Sequence, residues 1–465
     1  MLKNQRILDP IHEMIVFDHE VPLDVIAWRL LNVPEVQRLR RIKQLGVSEF
    51  VYPSATHSRF AHSIGVFHNA RRLVKLIERE IKSKRVEGKF DKDRAQIAVL
   101  AALLHDLGHG PFSHAFEEAR KSIAERRRTD KKIPKHEAFS AALIRHKAGA
   151  IGNILADANI DPNTVADLVE AETPADMYHA IVSSSFDADR LDYVQRDRYM
   201  TGVGTGAIDL EWLMDNVRVA DIDFSSDGDA RDEGAYRHSF CLLYKARDAA
   251  EDFLLARYRL YTNVYYHKTT RGFEQLVSAF YRLVAEGTDQ GKPLKGLDAE
   301  HPLVRFFSKD GETTENYRAL DDAVVWGAIH AVARAADGVS KLIADWLLNR
   351  HRLPCVDVQL CFPQELELQR RLKHRLDADF KNVLDKTVFR DKATLSLYGE
   401  IGGDDSRAQK RLMIQLPTTR LKEITDFPDR TIAQTSNERS FERYYFLSES
   451  DYKRAGESIQ AIGGR

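Results

Sequence analysis

The sequence predicts a mainly α-helical protein, with a long helical lobe followed by a smaller α+β lobe, and three observations carry that prediction. Apolar residues recur at three- and four-residue spacing through most of residues 20–285. Short polar turns, several marked by Gly or Pro, separate these stretches. Beyond about residue 300 the pattern alternates or gathers β-formers, as strands require.

The helical segments run over 25–31, 35–45, 62–82, 93–107, 136–146, 173–199 and 246–283. Amphipathic stretches of this kind bury one stripe against their neighbours and build a helical layer. Pro53 and the Gly108-His109-Gly110-Pro111 turn fall where helices should stop. Residues 119–135 hold the densest charge run, which reads as a solvated loop or helix face. Residues 221–233 read as an exposed loop or hairpin. Strands are expected at 355–362, 393–398, 411–416 and 443–447, so the lobes divide at 1–295 and 296–465.

With 465 residues, 43% hydrophobic and 30% charged, the chain has apolar side chain for a large core, which excludes a disordered or fibrous protein. Lys and Arg number 69 against 70 Asp and Glu, so there is no global basic field, and an anionic ligand must be met by a local cluster. Cys241, Cys355 and Cys361 form no CxxC pair and no disulfide framework, which suits a reducing compartment. The first ten residues lack an apolar segment, and the longest apolar stretch, 97–104, falls far short of the roughly 20 residues of a membrane span. A cytoplasmic protein with no membrane partner is the expectation.

Chemistry concentrates where the apolar run 97–104 meets His105 and Asp106. Burying those groups unpaired would cost several kcal/mol. An isolated His-Asp pair is more often structural, but this one has company: Arg59 and His62 upstream, and Asp189, Asp192, Tyr193 and Arg196 on one helical stripe downstream. His62, His105, Asp106 and Asp189 together supply two imidazoles and two carboxylates. That set suits Fe, Mn, Zn or Mg and does not choose among them. An ion held there can acidify water and polarise a phosphoryl oxygen. His109, His114 and His136 add imidazoles able to protonate a leaving oxygen or bind phosphate. The residues read as a hydrolase of phosphate esters.

His62, His105-Asp106 and Asp189 resemble the H…HD…D signature of the HD-domain metal-dependent phosphohydrolases. Asp9 to His12, residues 33–46, Arg59 with His62, residues 105–117, 135–137, 187–197 and 265–268 are similar, in order, to the deoxynucleoside triphosphate triphosphohydrolase branch. The likeness covers roughly residues 5–285 and makes 1–295 the HD-type catalytic domain, leaving 296–465 for oligomerisation or regulation. It implies that His62, His105, Asp106 and Asp189 hold a divalent metal, with a second Mg on the triphosphate. It makes His114 the proton donor to the 5′ oxygen, oriented by Glu117, and places His109 and His136 at the phosphates. Gln44 and Leu45 would lie under the deoxyribose, Asp197 would receive the 3′ hydroxyl, and Tyr265 would crowd the 2′ position. Arg59, Arg190, Tyr193, Arg257 and Lys268 would serve the triphosphate or the pocket wall.

The resemblance also implies a homo-oligomer, a tetramer being favoured, with a regulatory nucleotide between subunits. Asn32 stands where nucleotide-activated relatives carry an Asp that reads guanine, and Asn presents no ionised carboxylate. Gln37 and Arg40 still match and could hold another nucleotide. Tyr261 stands where a relative carries His. Two other readings stand beside the leading one. A phosphodiesterase or nuclease acting on single-stranded nucleic acid or another nucleotide is favoured by the 119–135 run and opposed by the sugar-pocket matches. A nucleotide-binding regulator with an inactive site is opposed by the complete ligand set.

Overall fold

A computed structural model of the protein describes residues 3–129, 133–146, 149–171, 175–204, 208–223, 236–395, 411–432 and 439–464. The chain opens with an antiparallel hairpin, β1 (Gln5–Asp9) and β2 (Glu13–Phe17). Helices α1 (Pro22–Leu31) and α2 (Pro34–Arg38) follow. Each starts on a proline, whose fixed φ and missing N–H suit the first helical turn. The helix expected over 35–45 ends early: after a 3-10 turn at Leu39–Arg41, Ile42 is extended. The chain there pairs with the segment ahead of the next helix, Arg59 N donating to Ile42 O and Gln44 N to His57 O, both at 2.9 Å. Gln44 and Leu45 therefore sit on a turn.

Helix α3 (Arg59–Lys82) is capped by the Ser58 hydroxyl, and α4 (Lys92–Leu104) by the Asp91 carboxylate. His105 and Asp106 fall on the turn beyond α4. Arg38, buried, holds that turn by donating to His109 O (2.9 Å), Leu107 O (3.2 Å) and Leu320 O (2.6 Å). Tyr317 donates to Gly108 O at 2.5 Å. The backbone carbonyls of a buried turn need such donors, and the sequence supplies them from distant elements.

The first half of the charge run is a helix with Lys121, Glu125 and Arg126 exposed, and Arg120 departs from the solvated reading. This helix is α5 (His114–Arg126), whose buried stripe is Ala115, Phe116, Ala119, Arg120 and Ile123. Arg120, 2% exposed, donates to Pro134 O (3.0 Å) and pairs with Glu312 (2.8 Å), while Arg126 and Arg127 pair with Asp289. Residues 130–132 lie outside the described residues.

Helices α6 (His136–Arg145), α7 (Ala150–Asp157) and α8 (Pro162–Glu170) come next, α7 and α8 unanticipated. The helix expected over 173–199 is interrupted. A 3-10 turn at His179–Ile181 precedes a serine-rich bend, and α9 (Ala188–Thr201) begins afresh where the Asp187 side chain accepts from Arg190 N. Serines at 183–185 offer the backbone competing hydrogen bonds, and Asp187 is a strong cap. After α10 (Leu210–Asn216), β3 (Val217–Asp223) and β4 (Tyr236–Leu243) pair antiparallel. Residues 221–223 are thus strand, and the rest of the expected loop, 224–233, lies outside the described residues. The helix expected over 246–283 is split into α11 (Arg247–Leu260) and α12 (Lys268–Asp289) by a π-helical turn at Tyr261–Tyr265.

Among the described residues of the C-terminal part, β5 (Cys355–Asp357), β6 (Val388–Leu395) and β9 (Arg439–Phe446) form a sheet in the order β5-β9-β6. The strand expected over 355–362 stops at Asp357, whose carboxylate accepts from Leu360 N and turns the chain into a short helix. Residues 396–398 of another expected strand lie outside the described residues. β7 (Met413–Gln415) lies parallel to β4, carrying the chain back to the earlier part, and β8 (Leu421–Glu423) continues that sheet. Helices Asp322–Ala335, Gly338–Leu348, Leu366–Phe380 and Glu449–Gly463 add helix where strands dominated the expectation. Mainly α is the architecture. One apolar core gathers α1, α3 and α4, and a second gathers α5, α12 and residues 303–347; Leu104 and Leu107 belong to the first, Phe112 and Ala115 to the second. The His105–Pro111 turn crosses from one to the other. No helix of the described residues is long and apolar enough to cross a membrane.

Candidate active site

A cavity of about 350 Å³ opens between α3, the turn after α4, the start of α5 and α6, α9 and the π-helical turn. It brings together most of the residues singled out in the sequence: Gln44, Leu45, Arg59, His62, His105, Asp106, His109, His114, Glu117, His136, Asp189, Arg190, Tyr193, Asp197 and Tyr265. Five others do not line it. Arg257 is buried behind the wall, donating to the Tyr193 hydroxyl at 2.9 Å and stacking over Tyr261 at 4.8 Å. Lys268 is exposed at the start of α12. Asn32, Gln37 and Arg40 lie elsewhere: Arg40 donates to Gln37 (2.9 Å) and covers the Phe60 ring, while Asn32 donates to Trp28 O.

The metal-ligand candidates converge. Nε2 of His62 lies 2.9 Å from Asp189 Oδ1, and Nε2 of His105 lies 3.8 Å from the same oxygen and 3.2 Å from Asp106 Oδ1. His62, His105 and Asp189 each offer one donor atom within 4.8 Å of the others. Their orientation is enforced from behind. His62 Nδ1 donates to Asp192 Oδ2 (2.7 Å) and His105 Nδ1 to Ala102 O (2.8 Å), which turns both Nε2 atoms into the cleft. His105 Nε2 is buried without a hydrogen-bond partner. An aimed, orphaned imidazole nitrogen beside a second imidazole and two carboxylates fits a divalent cation.

The charges around this point are sorted. Burial opposes charge on His62, but Asp189 and Asp192 on either side raise it to about 10; a bound cation would displace that proton. Asp106 is held well below the carboxylate range, because His105, Arg59 and His109 outweigh its burial. Arg59 supplies two of its bonds to Ser113 Oγ and one to Asp106 (2.6 Å). Burial, with Arg59 and His136 adding to it, pushes His109 far down, and it brings His114 to about 4. His136 differs. Burial would lower it, yet Glu117, accepting its Nδ1–H at 2.9 Å, carries it to about 9. Glu117 therefore accepts its hydrogen bond from His136 and not from His114, the residue it was expected to orient. His109 and His136 stack at 3.8 Å. Just ahead of His114, Phe112 and Ser113 take left-handed φ values of 57° and 45°, and Asp322 holds the Phe112 N–H at 2.9 Å. Strain of this kind collects at sites whose geometry is fixed from outside.

At the other end, Asp197 accepts from Tyr265 Oη (2.6 Å) and His57 Nε2 (2.7 Å), and the buried Tyr265 phenol is pushed well above its usual range by burial and Asp197. Gln44 Oε1 is buried without a hydrogen-bond partner. Tyr261 and Tyr265 meet edge to face at 4.8 Å.

Several contributors were given no role of their own in the sequence. Asp192, placed on a polar stripe, is fully buried and joins His62 to His12 (2.7 Å) and Arg196, which Asp9 also engages. His12 and Asp9 belong to the N-terminal hairpin, whose only signal was its likeness to relatives. Gly65 on α3 faces this network closely: a Cβ there would stand 1.8 Å from Asp192 Oδ1 and 2.6 Å from Arg196 Nη2. Gly65→Ala should cost about 1–3 kcal/mol by overpacking and lower the metal content of the purified protein. Denaturant unfolding and elemental analysis check both, and unchanged values would refute the role given to the Asp192 network.

The HD domain family pattern matches residues 59–197, and that of an HD associated region matches residues 236–336. The uncharacterized protein YwfO of Bacillus subtilis is 30% identical over 352 residues, 75% of this chain and 71% of that protein. The deoxynucleoside triphosphate triphosphohydrolase SAMHD1 homolog of Dictyostelium discoideum is 30% identical over 277 residues, 58% of this chain; the chain spans 48% of that relative. A solved structure of a phosphohydrolase from Bacteroides thetaiotaomicron matches with a TM-score of 0.70 at 24% identity, over 96% of this chain and 100% of that one, a likeness of fold.

Proposed function

The chain belongs to the HD-domain family, and on that premise we propose that it hydrolyses deoxynucleoside triphosphates to a deoxynucleoside and inorganic triphosphate. The carrying observation is that one cavity is lined both by a cluster of candidate metal ligands and by Gln44, Asp197 and Tyr265, the residues that the resemblance assigns to the sugar. The triphosphohydrolase named among the relatives supports the same reading.

His62, His105, Asp106 and Asp189 would hold one divalent ion, Fe, Mn, Mg or Zn, and a second Mg would travel with the triphosphate. When bound, the ion would acidify water and polarise the α-phosphoryl oxygens. Water adds its oxygen to the α-phosphorus, the bond from phosphorus to the 5′ oxygen breaks, and the 5′ oxygen takes up a proton. His136, charged at neutral pH by Glu117, faces the phosphates together with Arg59 and Arg190. His114, held neutral by burial, would gain basicity beside a polyanion and could then deliver the proton to the 5′ oxygen. Tyr265 would crowd the 2′ position with its ring, its own O–H being donated to Asp197. Assembly as a tetramer with a nucleotide near Gln37 and Arg40 belongs to the same proposal.

Two measurements probe this reading. Purified protein incubated with each dNTP, each NTP and a labelled single strand, with Mn or Mg, should release triphosphate from dNTPs. Shortened strands would instead favour the nuclease reading that the 119–135 charge run suggested. Glu117→Gln removes the carboxylate that raises His136. The basic limb of the kcat/KM profile should move from near pH 9 towards lower pH, with a loss of about 10²-fold at neutral pH. An unmoved limb would remove His136 from the mechanism.

A further inference from the structure

We propose that His57 is a positioning residue for sugar recognition: it fixes the Asp197 carboxylate so that the cleft selects substrates with a free 3′ hydroxyl. The inference rests on the reading of the cleft as a dNTP site.

His57 precedes the Ser58 cap of α3, is buried, and does not line the cavity. Its ring reaches Asp197 from behind. Nε2–H donates to Oδ1 at 2.7 Å while the Tyr265 hydroxyl donates to Oδ2 at 2.6 Å. A carboxylate offers about four acceptor positions, so two remain for a ligand hydroxyl. Donors on opposite oxygens also fix the carboxylate plane. The ring has no second duty: His57 Nδ1 is buried with no hydrogen-bond partner among the described residues. The main chain of the same residue ties in the facing wall, since His57 O accepts from Gln44 N at 2.9 Å. Gln44 Oε1, itself unpartnered, lines the cavity. His57 thus connects the two polar groups assigned to the sugar, by side chain to one and by backbone to the other. Removing the ring leaves Asp197 held by Tyr265 alone, free to turn, while the Gln44 contact through the backbone persists.

Such a role predicts a change in selectivity. The test measures kcat/KM for triphosphate release from a dNTP and from its 2′,3′-dideoxy counterpart, for the wild type, His57→Ala and His57→Gln. The wild type should prefer the dNTP by at least about 10²-fold, as sites built around a ligand hydroxyl do. In His57→Ala the preference should fall to within about tenfold through loss on the dNTP alone, and His57→Gln, which keeps an N–H donor, should stand between. The ratio is independent of the fraction of folded enzyme, and the glutamine variant supplies it if the alanine variant does not fold. An unchanged ratio in an active His57 variant would overturn the proposal while leaving the dNTP reading intact, as would a wild type indifferent to the 3′ hydroxyl. A wild type that releases no triphosphate from any dNTP would refute the substrate reading and the role of His57 with it.

Discussion

His105→Ala should lower triphosphate release by at least about 10³-fold, the equivalent of about 4 kcal/mol of transition-state stabilisation, while leaving the fold intact. The side chain makes one hydrogen bond, to Ala102 O within its own turn, and its Nε2 bonds nothing. Its removal therefore breaks no hydrogen bond to another element. Asp106→Ala should abolish activity as fully but at a cost in stability, because Arg59, 4% exposed, would keep only Ser113 as its partner. Elemental analysis, circular dichroism and product assays separate the two variants. A folded, metal-depleted His105→Ala, Asp106→Ala double variant with full activity would contradict the assignment of the metal centre.

Asp192→Ala should give the largest loss of stability, about 3–5 kcal/mol, together with roughly 10–100-fold weaker metal binding. The carboxylate is fully buried and accepts from His12, His62 and Arg196 at 2.7–2.9 Å. Without it, the buried Arg196 guanidinium keeps only Asp9 and the His62 ring loses the bond that aims Nε2. Burial alone would raise Asp192, but Arg196, His12 and His62 hold it well below the ordinary 3.8. A depressed carboxylate contributes stability that is fully present above its unfolded value and is lost as pH falls through the folded one. The wild type should therefore weaken in acid while Asp192→Ala, already lacking that contribution, shows a flatter acid limb. Denaturant unfolding at neutral pH and in mild acid measures this, and parallel limbs would refute it.

Local pattern sufficed where one element carried the signal. The apolar run of α4 stopping at His105 and Asp106 and the stripe of α9 are both readable over a few residues, and they pointed to candidate ligands that the fold brings together. What escaped depends on approach from afar. Glu117 and His136 are 19 residues apart, and nothing in their spacing shows that the carboxylate turns to His136 and away from His114. Asp192 stood out only as one member of a polar helical stripe because its partner His12, and Asp9, which engages the neighbouring Arg196, arrive on a hairpin 180 or more residues away. Arg120 looked like part of a solvated run because Glu312, which neutralises it, belongs to the C-terminal part. Backbone departures hid in the same way. The helices expected over 173–199 and 246–283 are broken at residues 183–187 by serines and the Asp187 cap and at 261–265 by a π-helical turn, and Asp357 ends a β-patterned segment by capping a helix.

The central claim is attack of water at the α-phosphorus of a dNTP in this cleft. Its most direct test is hydrolysis of a dNTP in water enriched in heavy oxygen, with the products separated and weighed by mass spectrometry. The expected products are inorganic triphosphate carrying one labelled oxygen and an unlabelled deoxynucleoside, both absent with His105→Ala. Label in the 5′ hydroxyl, or a nucleoside monophosphate with pyrophosphate, would contradict it.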